Sequence, residues 1–150
     1  MALNTELVGK SYPSQTYEVS REKIREFATA VGDTNAAYVD EDSARALGHR
    51  DVVAPPTFAV VVTRAPQLAV IDDPDLGLDF TRVVHGDQKF SYSRPIVAGD
   101  ELRTIATIDS ARTMAGNDIL TIRSDVVDGD GSPVLTTWAT LVARAVEADT

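Results

Sequence analysis

The 150-residue chain contains no cysteine and only two histidines, which removes disulfides, thiolate nucleophiles and cysteine-ligated metals from consideration. Neither His49 nor His85 stands at metal-ligand spacing from another histidine, so a zinc site is not expected. Long hydrophobic runs are also missing. The longest, Phe58 to Val62, falls far short of the roughly 20 residues a membrane-spanning helix needs. Basic residues are the minority, 14 against 23 acidic, and a net charge of -9 is unsuited to nucleic acid, whose phosphates require clustered lysine and arginine. No Gly-x-Ser-x-Gly elbow occurs, and Ser91, Ser93 and Ser132 lie in strand or turn contexts, which sets a serine nucleophile aside. The first residues, Met-Ala-Leu-Asn-Thr-Glu, carry neither a basic nor an apolar leader segment, so no secretory signal is expected and the cytoplasm is the default compartment.

What remains is an ordinary globular composition, 43% hydrophobic and 25% charged. A chain of this length buries roughly 70% of the surface its unfolded form exposes, enough for one real core. No repeat, low-complexity tract or Gly/Ser linker divides it, so one domain spanning residues 1–150 is expected.

Ile24, Phe27, Ala28 and Val31 recur on one helical face, with Ser20 placed to cap the start and Gly32 the end. Asp40 to Leu47 reads as a second short helix stopped by Gly48. Pro55 and Pro56 open a mostly apolar stretch, Thr57 to Val70. Its β-branched run Val60-Val61-Val62-Thr63 and Pro66 suit a strand, but its length and all-round apolarity favour a buried helix. From Phe80 onward the period changes to two. Strands are expected around Phe90 to Arg94, Leu102 to Ile108, Ile119 to Val127 and Val134 to Ala145, the last two joined through Asp128-Gly129-Asp130-Gly131. Helices followed by antiparallel strands make an α+β domain, with a curved sheet expected around one buried helix.

Four segments carry a family likeness: Arg21 to Phe27 with Gly32-Asp33-Thr34-Asn35-Ala36-Ala37-Tyr38, Ala54-Pro55-Pro56-Thr57-Phe58, His85-Gly86-Asp87-Gln88-Lys89-Phe90, and Arg94 to Asp100. In this order they resemble the MaoC-like dehydratase/hydratase superfamily, in its N-terminal, type-I-fatty-acid-synthase-like branch, across about residues 8 to 145. The resemblance implies a hot-dog fold, an antiparallel sheet wrapped around a central helix. It also implies acyl-CoA or acyl carrier protein (acyl-ACP) substrates, no cofactor, and a dimer, either of two identical chains or with a catalytic hot-dog partner. The implied reaction is reversible addition of water across a trans-2-enoyl thioester to give the (R)-3-hydroxyacyl form.

That chemistry requires a carboxylate and an imidazole sharing one water, and a helix N-terminal N–H to polarise the thioester carbonyl. Asp33 and Asn35 match the family's Gly-Asp-x-Asn-Pro motif, but Tyr38 stands where the histidine belongs and Ala36 where the proline belongs. A phenol with a reference pKa of about 10 does not replace an imidazole that both gives and takes protons near neutrality. The candidate catalytic residues are Asp33, Asn35, Tyr38 and His85, with His85 or His49 replacing the missing imidazole if a homodimer is itself active. Pro56, Thr57, Phe58 and Gln88 are the candidate substrate-binding residues.

Each has a plainer reading beside it. Asp33 and Asn35 suit an Asx turn after Gly32, His85 a hydrogen-bonded strand histidine next to a glycine bulge, and His49 a loop histidine near a helix C-terminus. Trp138 suits a core or interface aromatic. Arg45, Arg50, Arg64, Arg82, Arg94 and Arg103 are candidates for a positive patch facing an acidic carrier, which the overall charge would otherwise repel. A thioesterase or a non-catalytic acyl-thioester binder on the same fold remains an alternative.

Overall fold

Ser20 and Gly32 do bound the first helix, α1 (Arg21–Val31). The Ser20 hydroxyl accepts the Lys23 N–H at 3.1 Å, and Gly32 turns left-handed at φ 74° so that the Asp33 N–H returns to the Ala28 carbonyl at 2.9 Å. The structure is a computed structural model that describes residues 2–146. α2 (Glu41–Ala46) is a little shorter than its pattern suggests, because Asp40 and Leu47 act as its caps. A 3-10 turn at Pro56–Phe58 runs into α3 (Ala59–Ile71), which decides the ambiguous apolar stretch in favour of a helix. Pro66 sits buried inside α3 without ending it. The β-branched run is accommodated because one side of the helix packs on a sheet, with Ala59, Val62, Thr63, Pro66 and Val70 buried.

That sheet has five strands: β1 (Gln15–Glu18), β2 (Val83–Tyr92), β3 (Glu101–Met114), β4 (Asn117–Val127) and β5 (Pro133–Ala143). The order is β1-β3-β4-β5-β2, antiparallel throughout, with β1 and β2 at the edges. α3 packs against β1, β3 and β4. The α+β arrangement of an antiparallel sheet with a central helix is thus the one the resemblance implies.

Three boundaries differ from the sequence pattern. Phe80 to Arg82 form a 3-10 turn instead of strand, because Asp79 accepts the Thr81 N–H at 3.1 Å and holds the Arg82 guanidinium at 2.8 Å. β3 continues past Ile108 to Met114, since a bulge between Ile108 and Ser110 breaks the period-two signal there without ending the strand. β1 gave no sequence signal, being four residues long and only half-buried. The β4–β5 hairpin follows expectation: the Asp128 carboxylate accepts the N–H groups of Asp130 and Ser132, each at 3.0 Å, and Gly131 takes φ 80°.

The core falls into two clusters. One gathers Ile24, Phe58, Val62, Ile96, Leu102, Val126 and Leu135 under the head of α3, and the other Val70, Leu76, Ile108, Leu120 and Ile122 under its tail. The second is stapled by Asp73, whose carboxylate accepts from Lys10 Nζ at 2.6 Å and Tyr12 Oη at 2.7 Å. These hydrogen bonds hold the Asp73 carboxyl down at about 2. A carboxyl depressed in the folded state stabilises fully above its unfolded value of about 4 and loses that contribution as pH falls through the folded value. Urea midpoints should therefore drop between about pH 4 and pH 2, and Asp73→Asn should flatten that part of the profile. An unchanged profile in the variant would mean the staple contributes nothing to acid stability.

Candidate functional site

Three chain segments converge at the head of α3 through backbone hydrogen bonds. The Val53 N–H donates to Ala37 O at 3.1 Å, the Ala54 N–H to Ile96 O at 2.8 Å and the Ala98 N–H to Val52 O at 3.0 Å. The segment Val52 to Ala54 is thereby held between the Ala36–Tyr38 turn and the stretch that follows β2. Between them opens a cavity of about 460 Å³, within the range of small-ligand pockets. Asn35, Tyr38, His49, Ser93 and Arg94 supply its polar side chains, and Leu47, Val53, Ala54, Pro56 and Ile96 line its apolar walls, with Tyr92 closing one side.

Local chemistry explains each placement. The Asp33 carboxylate accepts the Asn35 N–H at 3.2 Å, and the Asn35 side chain accepts the Ala37 N–H at 3.0 Å, so successive Asx interactions wind the turn that delivers Tyr38. Asp33 is exposed and outside the cavity lining, whereas the Tyr38 side chain is buried. Burial first, and the neighbouring Asp33 carboxylate second, push the Tyr38 hydroxyl above its ordinary value, so it is a neutral donor at pH 7.

At the head of α3 the Phe58 N–H is already used, donating to Pro55 O at 2.8 Å. The Thr57 N–H meets no backbone carbonyl among the described residues, and Thr57 is exposed. Phe58 itself is fully buried, so its ring belongs to the core and not to the cavity.

His85 and Gln88 lie elsewhere, on the edge strand β2. A bulge between His85 and Asp87 puts both side chains within reach, His85 Nε2 to Gln88 Oε1 at 3.0 Å. A Cβ at Gly86 would be tight there, 3.2 Å from Val142 Cγ2 and 3.4 Å from Thr140 O. Trp138 is half-buried, beneath Lys89 Nζ at 4.7 Å from the ring centroid.

His49, the other candidate imidazole, by contrast joins Asn35 and Tyr38 in the cavity lining. Tyr92 was not singled out as a site residue, and Arg94 only as one candidate for a positive patch. The signal available for Arg94 was its spacing to Asp100 across a Pro/Gly turn, since Asp100 receives both Arg94 Nη atoms, at 2.9 and 3.1 Å. Asp100 further accepts from Arg50 at 2.8 Å and from the Val97 N–H at 2.9 Å. Of the six arginines proposed as a positive patch, Arg45, Arg50, Arg82 and Arg94 are paired with carboxylates. Of the six, Arg64 on α3 and Arg103 on β3 have no carboxylate of the described residues within ion-pair distance.

Comparison with known proteins gives this geometry a family. Residues 6–137 match the FAS1-like, dehydratase domain region. The chain belongs to that family. Within the MaoC-like group, it is 34% identical to a chain of the HadBC (3R-hydroxyacyl-ACP dehydratase) complex from Mycobacterium tuberculosis, with a TM-score of 0.84 over 93% of this chain and 99% of that one. A MaoC-like dehydratase matches at 33% identity and a TM-score of 0.85, over 93% of this chain and 43% of the other. A UPF0336 protein of Streptomyces coelicolor is 60% identical over 98% of this chain and 99% of its own length. For this MaoC-like chain the hot-dog fold is therefore established both by its own topology and by its neighbours. No helix among the described residues is long and apolar enough to cross a membrane.

Proposed function

We propose that this chain is a subunit of a (3R)-hydroxyacyl-thioester dehydratase, working reversibly as an enoyl-thioester hydratase, that holds the acyl thioester and pairs with a catalytic hot-dog partner. One observation carries the reading: the buried, neutral phenol of Tyr38 occupies the motif position at which the reaction needs an imidazole. Asp33 stays in its motif position but spends one oxygen on a turn N–H. The cavity keeps apolar walls for a chain, and the Thr57 N–H, next in sequence to the lining residue Pro56 but itself outside the lining, is the candidate donor for a thioester carbonyl. Edge strand β2, with His85 and Gln88 on it, offers unpaired backbone groups to a second hot-dog sheet. The reading places one domain in the cytoplasm, with an acyl-CoA or acyl-ACP substrate and a role in fatty acid metabolism.

The purified chain is expected to bind acyl-CoA by calorimetry and to leave crotonyl-CoA unchanged when assayed alone. Full hydratase turnover by a homodimer would remove the need for a catalytic partner. Tyr38→His should then introduce measurable hydration, since a positioned acid–base group contributes about 10²- to 10⁴-fold. No gain in a folded variant would show that the missing imidazole is not what silences the site.

The presence of His49 beside Asn35 and Tyr38 favours a second reading, an active homodimeric (R)-specific hydratase in which His49 supplies the imidazole to Asp33. Under it, both His49→Ala and Asp33→Asn abolish an activity that the wild type displays.

A further inference from the structure

We propose that Tyr92 is a crossbar that sets the depth of the cavity and thereby determines the length of acyl chain the protein accepts. The inference rests on reading the cavity as an acyl-thioester site. Tyr92 ends β2 and, by strand alternation, shares the face of Phe90 and Gln88 that packs toward the core. Its ring is one wall of the cavity, and its hydroxyl donates to the Pro56 carbonyl at the head of α3. The side chain thus spans from β2 to the start of α3 and closes that side of the cavity.

Behind this bar the strip is packed, since Phe90 and Tyr92 both lie against the core. Along β2 come Phe90, whose ring centroid lies 6.3 Å from that of Tyr92, and then Gln88, about 13 Å from Tyr92 at about 3.3 Å per strand residue. On α3, Val61 is only partly buried and Val60 is 40% exposed. Two polar atoms in the same strip, Gln88 Nε2 and the hydroxyl oxygen of Thr137 opposite Phe90, are shut away from solvent without a hydrogen-bond partner. Neither atom borders open space, so the room a longer chain can gain is the volume that the Tyr92 ring itself fills. Burial raises the Tyr92 hydroxyl to about 12, which keeps it protonated and able to donate to Pro56 throughout the neutral range.

The test is calorimetric titration of the full-length wild type, Tyr92→Ala and Tyr92→Leu with butanoyl-, octanoyl- and dodecanoyl-CoA, with circular dichroism to confirm folding. Wild type should show no gain in affinity from octanoyl to dodecanoyl. In both variants the dodecanoyl-to-octanoyl affinity ratio should rise about tenfold, the return on roughly two methylenes buried in the space the ring vacates, whatever the change in butanoyl affinity. The same chain-length profile in wild type and in either folded variant overturns the crossbar and leaves the acyl-site reading standing. Absence of binding for every chain length in wild type and variants overturns both.

Discussion

Phe58→Ala is expected to cost about 4 kcal/mol of unfolding free energy, in the range for truncating a fully buried phenylalanine. The ring is wholly inaccessible to solvent and meets Phe27 edge-on at 5.5 Å and 88°, and Tyr17 at 6.3 Å and 70°. Such aromatic pairs add about 1 kcal/mol beyond the area they bury. The residue also closes the 3-10 turn that starts α3, so the void would open directly beneath the Pro56 and Thr57 end of the site. Phe58→Leu, which keeps most of the volume but loses both edge-on contacts, should cost about 2 kcal/mol, less than the alanine, and preserve ligand binding. Urea denaturation of the two variants checks this. A loss below about 2 kcal/mol for the alanine would mean that the neighbouring rings collapse into the space.

Asp100→Ala should be nearly as damaging, at about 3 kcal/mol, because it strands charged partners that the native carboxylate satisfies. Asp100 is only 5% exposed and is held by both Nη atoms of Arg94, by Arg50 and by the Val97 N–H. Most of the loss falls on Arg94 and the Val97 N–H, since Arg50 is largely exposed and solvent screens its pairing. Burial alone would push the Asp100 carboxyl up, but the hydrogen bonds from Arg94, Val97 and Arg50 outweigh it and hold the group below its ordinary value. Its stabilisation is therefore complete above the unfolded value of about 4 and is lost as pH falls below that through the folded value. Arg94 also lines the cavity, so Asp100→Ala should weaken acyl-CoA binding even at temperatures where the variant stays folded. Binding indistinguishable from wild type in the folded variant would confine the cluster to a structural role.

Residues 20–32 and 128–132 were legible because their determinants are local. A serine accepting an N–H three residues on, a glycine at positive φ and an aspartate accepting two nearby N–H groups need no distant partner. Thr57 to Val70 was only half legible. Its residues suit helix and strand alike, and contact with β1, β3 and β4 favours the helix. The unforeseen strand, Gln15 to Glu18, is an edge paired only with β3 and has no full hydrophobic alternation to announce it. The site divides in the same way. Asp33, Asn35 and Tyr38 could be found by motif, whereas His49 and Tyr92 lie 11 and 54 residues beyond Tyr38.

The order of residues by itself determined the helix caps, the hairpin, the acidic charge, the absence of thiol chemistry and the replacement of an imidazole by a phenol at position 38. These are properties of single side chains or of neighbours within a few residues, and they hold before the chain folds. Only the tertiary structure decided that His49, Tyr92 and Arg94 share a cavity with Tyr38, that Asp33 points its carboxylate into a turn, and that His85 and Gln88 sit on an open sheet edge. Those relations depend on long-range backbone hydrogen bonds such as Val53 to Ala37 and Ala54 to Ile96 and on packing against α3, interactions that no local pattern encodes.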